Sequence, residues 1–218
     1  MAITPSMLIA DIRNQVTETT AKFYSDNEIR AYLWQAEIAI AKKLQCTQTT
    51  HSSTSTTSGT REYAMPDDVL EISRVTWNSF PLTKIVLDDL DRLEGAAYAF
   101  TGITGNPVYY YENGANVGLS PIPNATQTLK FWYTVMPTVI TDASTGFTIP
   151  AFCQYYLTDY CLWRMYEKDS DQQRATFHRE KWNENLNEAF REWKSRQRVN
   201  KRVIVKDTSS PMNLLRIP

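Results

Sequence analysis

Apolar positions change their period three times along this chain, and each change marks a change of structure. Near the N-terminus Thr4-Pro5 offers a capping hydroxyl with a proline at the first helical position, and Ile9, Ile12, Val16 and Phe23 follow at roughly helical spacing. A second helix is predicted from Ser25, which with Glu28 three residues later forms a capping box. Ile29, Tyr32, Leu33, Ala36, Ile40 and Leu44 then make an apolar stripe with a period near 3.6. Residues 47–60, TQTTHSSTSTTSGT, carry no apolar side chain to offset the entropy of ordering, so they are expected to form a mobile loop, or else to be ordered by a neighbouring subunit. His51 within them looks incidental.

From Arg61 to about Pro137 the period becomes two. REYAMP, LEISRVTW, FPLTKI, PVYYY, NVGLSP and TLKFWYTV are short β-rich runs separated by Pro, Asp, Asn and Gly, the pattern of an antiparallel sheet or small barrel. Within it, Asn113-Gly114 after Tyr109, Tyr110 and Tyr111 is a strong hairpin signal, because a primed turn needs positive φ. LDDLDRLEGAAYAF is expected to hold one short helix, with Asp88 or Asp89 as its cap.

The helical period returns with Phe152, Tyr155, Tyr156, Asp159, Tyr160, Trp163 and Tyr166. After a break at Asp169 to Asp171 it continues from about Gln172 to Arg198, with Ala175, His178, Trp182, Leu186, Ala189 and Trp193 as its stripe. Two helical pairs far apart in sequence bury their stripes most simply against each other. The expected fold is therefore α+β: a four-helix bundle with an inserted antiparallel β domain and an extended C-terminal tail. Its parts are a helical pair at 1–46, the Ser/Thr-rich loop 47–60, the β domain 61–148, a second helical pair 149–200 and a tail at 201–218.

With 218 residues the chain can bury one ordinary core, or one core plus an insert, without covalent staples. A net charge of −1 argues against the whole chain binding a polyanion and leaves only local clusters. No membrane span or secretory signal is expected. Cys46, Cys153 and Cys161 are an odd set without close pairing, which suggests a reducing compartment and core-filling thiols. Catalysis finds little to use: the two histidines, His51 and His178, have no oriented nucleophile, and His178 reads as packed. Gly102 and Gly105 lack the third glycine of a phosphate cradle, and Asp88, Asp89, Asp91 and Glu94 read as helix-capping carboxylates. No enzyme activity, metal or cofactor is expected.

One charge asymmetry remains. Arg191, Lys194, Arg196, Arg198, Lys201, Arg202 and Lys206 face only Glu192. They read either as a helix C-terminus complementing its dipole or as a docking surface for an acidic partner or DNA. The uncovered Leu214, Leu215 and Ile217 at the chain's end favour docking to a protein. An alternative from another class is a carbohydrate- or peptide-binding module that stacks its ligand on Tyr109 to Tyr111 and Trp132.

Several segments in the same order resemble the head-to-tail adaptor, or connector, proteins of tailed bacteriophages, particularly of short-tailed phages. They are Ser25, Asp26, Glu28 and Ile29 opening the second helix; Tyr63, Met65 and Pro66; Gly105, Pro107 and Tyr109 with Gly118, Leu119, Pro121 and Pro123; Ile149 and Pro150; and Tyr166-Glu167-Lys168-Asp169. The resemblance covers roughly residues 6 to 195, and the Ser/Thr stretch and long C-terminal tail depart from it. It implies a structural virion protein at the head–tail interface, present in the host cytoplasm during assembly. Twelve subunits would form a ring between the portal and the tail or nozzle proteins, with DNA passing through the lumen without sequence-specific binding. Family members dock on the portal through C-terminal segments, which here implies Arg198, Lys201, Arg202, Val203, Ile204, Val205, Leu214, Leu215 and Ile217. The tyrosine hairpin then belongs to the scaffold.

Overall fold

A computed structural model describes residues 3–18, 23–94, 103–144 and 146–201, the side chains of 91–94 and 198–201 excepted. The described residues fall into two compact units, one from Met1–Leu44 with Val139–Pro218, the other from Gln45–Thr138.

The first unit is helical. In α1, Pro5–Gln15, the Thr4 hydroxyl accepts the Met7 N–H at 3.3 Å and Pro5 stands in the first turn, so one orphan amide is capped and another is absent. Leu8, Ile9 and Ile12 are buried. The helix stops at Gln15 and Thr17 takes φ 58, so the expected stripe never reaches Phe23, which lies 53% exposed. In α2, Asp26–Leu44, the Ser25 hydroxyl caps the Glu28 N–H at 3.2 Å, and Ile29, Leu33, Ala36, Ile40, Ala41 and Leu44 are buried.

A 3-10 turn, Ala151–Cys153, leads into α4, Tyr156–Lys168, and α5, Gln172–Lys201, follows. The helix between α2 and α4 in chain order, α3, Leu87–Glu94, belongs to the second unit. Cys153 and Cys161 are both buried, and burial alone pushes the Cys161 thiol well above its ordinary pKa.

The helical unit is not the four-helix bundle expected from sequence. It packs α4 on α5 and on α2, while the short α1 lies against α2 and α4. The reason is physical: α1 has only 11 residues, and among the described side chains of the 30-residue α5 just Ala175, Trp182 and Ala189 are fully buried, one position in every seven. A bundle helix wedged between two neighbours needs a stripe of about three positions in seven.

The second unit is not purely antiparallel either. One sheet has the order β1 (Gln48–Ser55), β10 (Thr128–Val135), β3 (Val69–Trp77), β4 (Phe80–Pro81). A second runs β2 (Glu62–Ala64), β8 (Asn116–Ser120), β7 (Tyr109–Asn113), β5 (Thr83–Lys84), and β6 (Thr104–Gly105) pairs with β9 (Ile122–Pro123). The pairs β5–β7 and β6–β9 are parallel. Val75, Trp77, Leu129, Phe131 and Tyr133 from the first sheet pack with Tyr63, Tyr110, Val117 and Leu119 from the second as one core.

Within the Ser/Thr stretch, residues 48–55 form the strand β1, and 56–60 are non-strand. Thr49 pairs with Tyr133 and His51 with Phe131, so β1 forms the edge of a sheet whose apolar side chains come from β10 and β3. β-branched threonine suits that pleated position without bringing an apolar payload of its own. The buried Thr56 fastens its end: its hydroxyl accepts the Trp77 indole N–H and the Gln127 amide, both at 3.0 Å.

At the hairpin Gly114 takes φ 59 as the first of two loop residues, with Asn113 still in β7 and paired to Asn116. A cross-strand row, Glu62–Gly118–Tyr111, explains another glycine. A Cβ on Gly118 would stand 2.0 Å from the Tyr111 ring, which lies across the bare backbone so that its hydroxyl reaches Glu62 at 3.4 Å. Gly118→Ala is expected to lower unfolding free energy in urea by about 1–3 kcal/mol through overpacking. The same change in a Tyr111→Ala background should cost much less, and an equal cost in both backgrounds would remove the ring from the explanation.

Candidate interaction surfaces

Three buried polar networks hold the helical unit. Arg13, 6% exposed, donates to Asp26 and, at 2.8 Å, to the Tyr24 carbonyl, tying α1 to the start of α2. Asp159, in the first turn of α4, accepts from Asn185 at 2.9 Å and lies 3.1 Å from both His178 Nδ1 and Lys181 Nζ on α5. Tyr166 stacks on His178 at a 17° interplanar angle. His178 is thus a packed histidine, held by a carboxylate. Among the described residues no group of three or more His, Cys, Asp or Glu side chains could hold a metal ion.

Glu37 is the third. Although 1% exposed, its carboxylate accepts the Thr148 amide at 2.5 Å, the Thr148 hydroxyl at 2.7 Å and the Ile149 amide at 3.4 Å. It thereby fastens the segment that enters the 3-10 turn. Desolvation raises its pKa above the ordinary 4.5 and outweighs those hydrogen bonds. Because the folded pKa lies above the unfolded one, this contribution to stability is fully present below about pH 4.5 and is lost as pH rises through the folded pKa. The stability difference between wild type and Glu37→Gln, measured by urea unfolding across that range, should therefore shift in favour of the Gln variant as pH rises. Glu37→Ala should cost about 1–3 kcal/mol at low pH, since it leaves buried donors unpaired, and less as pH rises through the folded pKa.

Two cations in the C-terminal half of α5, Lys194 and Arg196, rest on aromatic rings. Arg196 sits 4.4 Å from the centroid of Phe152, which stacks with Trp193, and Lys43 and Lys194 both lie 5.4 Å from Phe190. Arg196 also pairs with Glu192. Of the docking residues expected from sequence, Arg198 and Lys201 fall in the last turns of α5 with side chains outside the described set. Arg202, Val203, Ile204, Val205, Leu214, Leu215 and Ile217 lie outside the described residues altogether.

In the β unit the proposed stacking platform is not assembled. Tyr110, 3% exposed, faces the core between the sheets, and Tyr111, 4% exposed, lies over Gly118. Trp132 stands on β10 between the core residues Phe131 and Tyr133, with the Arg74 guanidinium 5.2 Å and the Lys130 ammonium 4.7 Å from its ring. Sequence reasoning passed over Arg74 and Lys130. Their signal was available in the pairing of two strands, where Arg74 falls opposite Trp132. Elsewhere Phe80 and Val86 are exposed by 67% and 65%, and Tyr155 and Phe177 of the helical unit by 66% and 60%.

A family model described as SU10 adaptor protein matches residues 4–206, from the cap of α1 through both units and past the end of α5. No curated protein matches the chain.

Proposed function

The chain belongs to the SU10 adaptor protein family, a family of structural phage adaptors at the head–tail junction, and we propose that its copies close a twelve-subunit ring between the portal and the tail or nozzle. DNA crosses the ring through a central channel without sequence-specific contacts. The observation that carries this reading is the family match over nearly the whole chain. Two features of the surface support it. A head-to-tail ring needs two different faces per subunit, each with side chains that a lone monomer would keep covered. Both units expose large aromatic side chains, Phe80 in one and Tyr155 and Phe177 in the other, and α5 buries so narrow a stripe that its flanks stand open.

The portal-docking element is the basic end of α5 with the sequence that follows it. Arg198, Lys201 and Arg202 supply charge for steering, and Val203, Ile204, Val205, Leu214, Leu215 and Ile217 supply apolar area for an ordered segment on the portal. The role is mechanical and electrostatic, so it requires no turnover. Mixed with its portal, the full chain should give ring-shaped complexes by negative-stain microscopy. Deletion of residues 203–218 should weaken docking by more than about tenfold, as loss of an apolar anchor does, with an unchanged circular-dichroism melt. A truncated chain that docks normally would remove the tail from the assignment, and a full chain that gives no ring would remove the ring.

A further inference from the structure

The outward face of α5 has no partner within the helical unit. A helix turns about 100° per residue, so with Ala175, Trp182 and Ala189 buried on one side, Phe177, Glu180, Glu184 and Glu188 follow one another at spacings of three, four and four residues along the opposite side. All four side chains are exposed, Phe177 by 60%. Among the described residues none of these three glutamates forms an ion pair: Lys181, beside them on α5, is held by Asp159 at 3.1 Å, and Arg196 further along pairs with Glu192. Carboxylates four residues apart repel and destabilise the helix that carries them. A face that keeps an uncovered phenyl ring beside self-repelling carboxylates fits a cationic partner with an aromatic centre.

The same unit carries that chemistry on another flank of α5. Lys43, in the last turn of α2, and Lys194 of α5 both lie 5.4 Å from the Phe190 centroid, both are exposed, and among the described residues neither has a carboxylate partner. Lys194 stands about 15 Å along the helix axis from Glu184 and about 80° around it, so the two patches cannot meet within one chain. Identical copies arranged head to tail bring one patch of each kind to every contact, and every patch is covered only when the ring closes. We propose that the Phe177–Glu188 stripe of one copy packs on Lys43, Phe190 and Lys194 of a second copy. The two phenyl rings form the dry centre, the cations pair with the glutamates around it, and this contact is one of those that close the ring. It rests on the adaptor-ring reading above.

A charge swap on the full chain tests the contact. Glu184→Lys with Glu188→Lys, and separately Lys43→Glu with Lys194→Glu, should each reduce ring formation on the portal by more than about tenfold, while the four changes combined should restore it. Circular-dichroism melts show whether each variant folds. A second measurement uses the wild-type chain: equal amounts of isotope-labelled and unlabelled protein are mixed, with and without the portal, treated with a zero-length carbodiimide and digested. Peptides that join Glu180, Glu184 or Glu188 to Lys43 or Lys194, one half labelled and the other not, are the expected product. Rings that survive both charge reversals, a folded combination that does not rescue, or cross-links that run from the glutamates to portal lysines instead overturn the contact and leave the ring standing. A wild type that forms no ring defeats the adaptor-ring reading itself. The mixed-label cross-link in the free chain then decides the copy-to-copy contact alone, and its absence overturns that contact.

Discussion

The helical unit depends on closing over an excursion of 94 residues, Gln45–Thr138, and a buried carboxylate bears much of that closure. α2 leaves the unit at Leu44 and the chain returns only at Val139, so the returning segment has no local partner to fix it. Glu37 supplies one by accepting two backbone amides and a hydroxyl at Thr148 and Ile149. The Tyr24 hydroxyl donates to the Met165 carbonyl at 2.6 Å, and Lys168 meets Glu28 at 2.8 Å, so the start of α2 is also gripped by residues from beyond the β unit. Apolar stripes alone would let these helices slide. Directional bonds between sequence-distant groups set the register, at the cost of keeping a carboxylate at 1% exposure with a raised pKa.

Local signals were legible where one residue answers to one geometric need. Ser25 caps α2, Thr4 and Pro5 open α1, and Gly114 takes the positive φ of the tyrosine hairpin. The misreadings all concern partners that sequence does not name. β1 has no apolar residue because β10 and β3 bring the core to it, so composition resembled disorder. The four-helix bundle failed because Thr17 ends α1 early and α5 buries one position per seven, neither of which an apolar count detects. The two-residue parallel pairs are too short to leave any period at all.

The candidate surfaces show the same division. The basic run at the end of α5 was visible as charge, but its anchoring on Phe152 and Phe190 appears only when α2, the 3-10 turn and α5 come together. Of the tyrosines that looked like a platform, Tyr110 and Tyr111 are buried, since alternation along β7 sends Tyr110 between the sheets and Gly118 makes room for Tyr111 on the other side. Trp132 was singled out for its ring, yet its neighbours across the sheet decide what the ring can bind.

A cation's choice of partner determines what it has left to offer. An Arg or Lys paired with a carboxylate on the surface is largely neutralised, and such pairs contribute little, about 0–1 kcal/mol. A cation over an aromatic face keeps its full charge and its outward hydrogen-bond donors, while the ring restricts its rotamers and replaces part of its hydration. Arg74 and Lys130 on Trp132, and Lys43 and Lys194 on Phe190, are held in this way. Part of the ordering cost of binding is therefore met before a partner arrives. A chain of net charge −1 can in this way present strongly cationic spots without being a general polyanion binder.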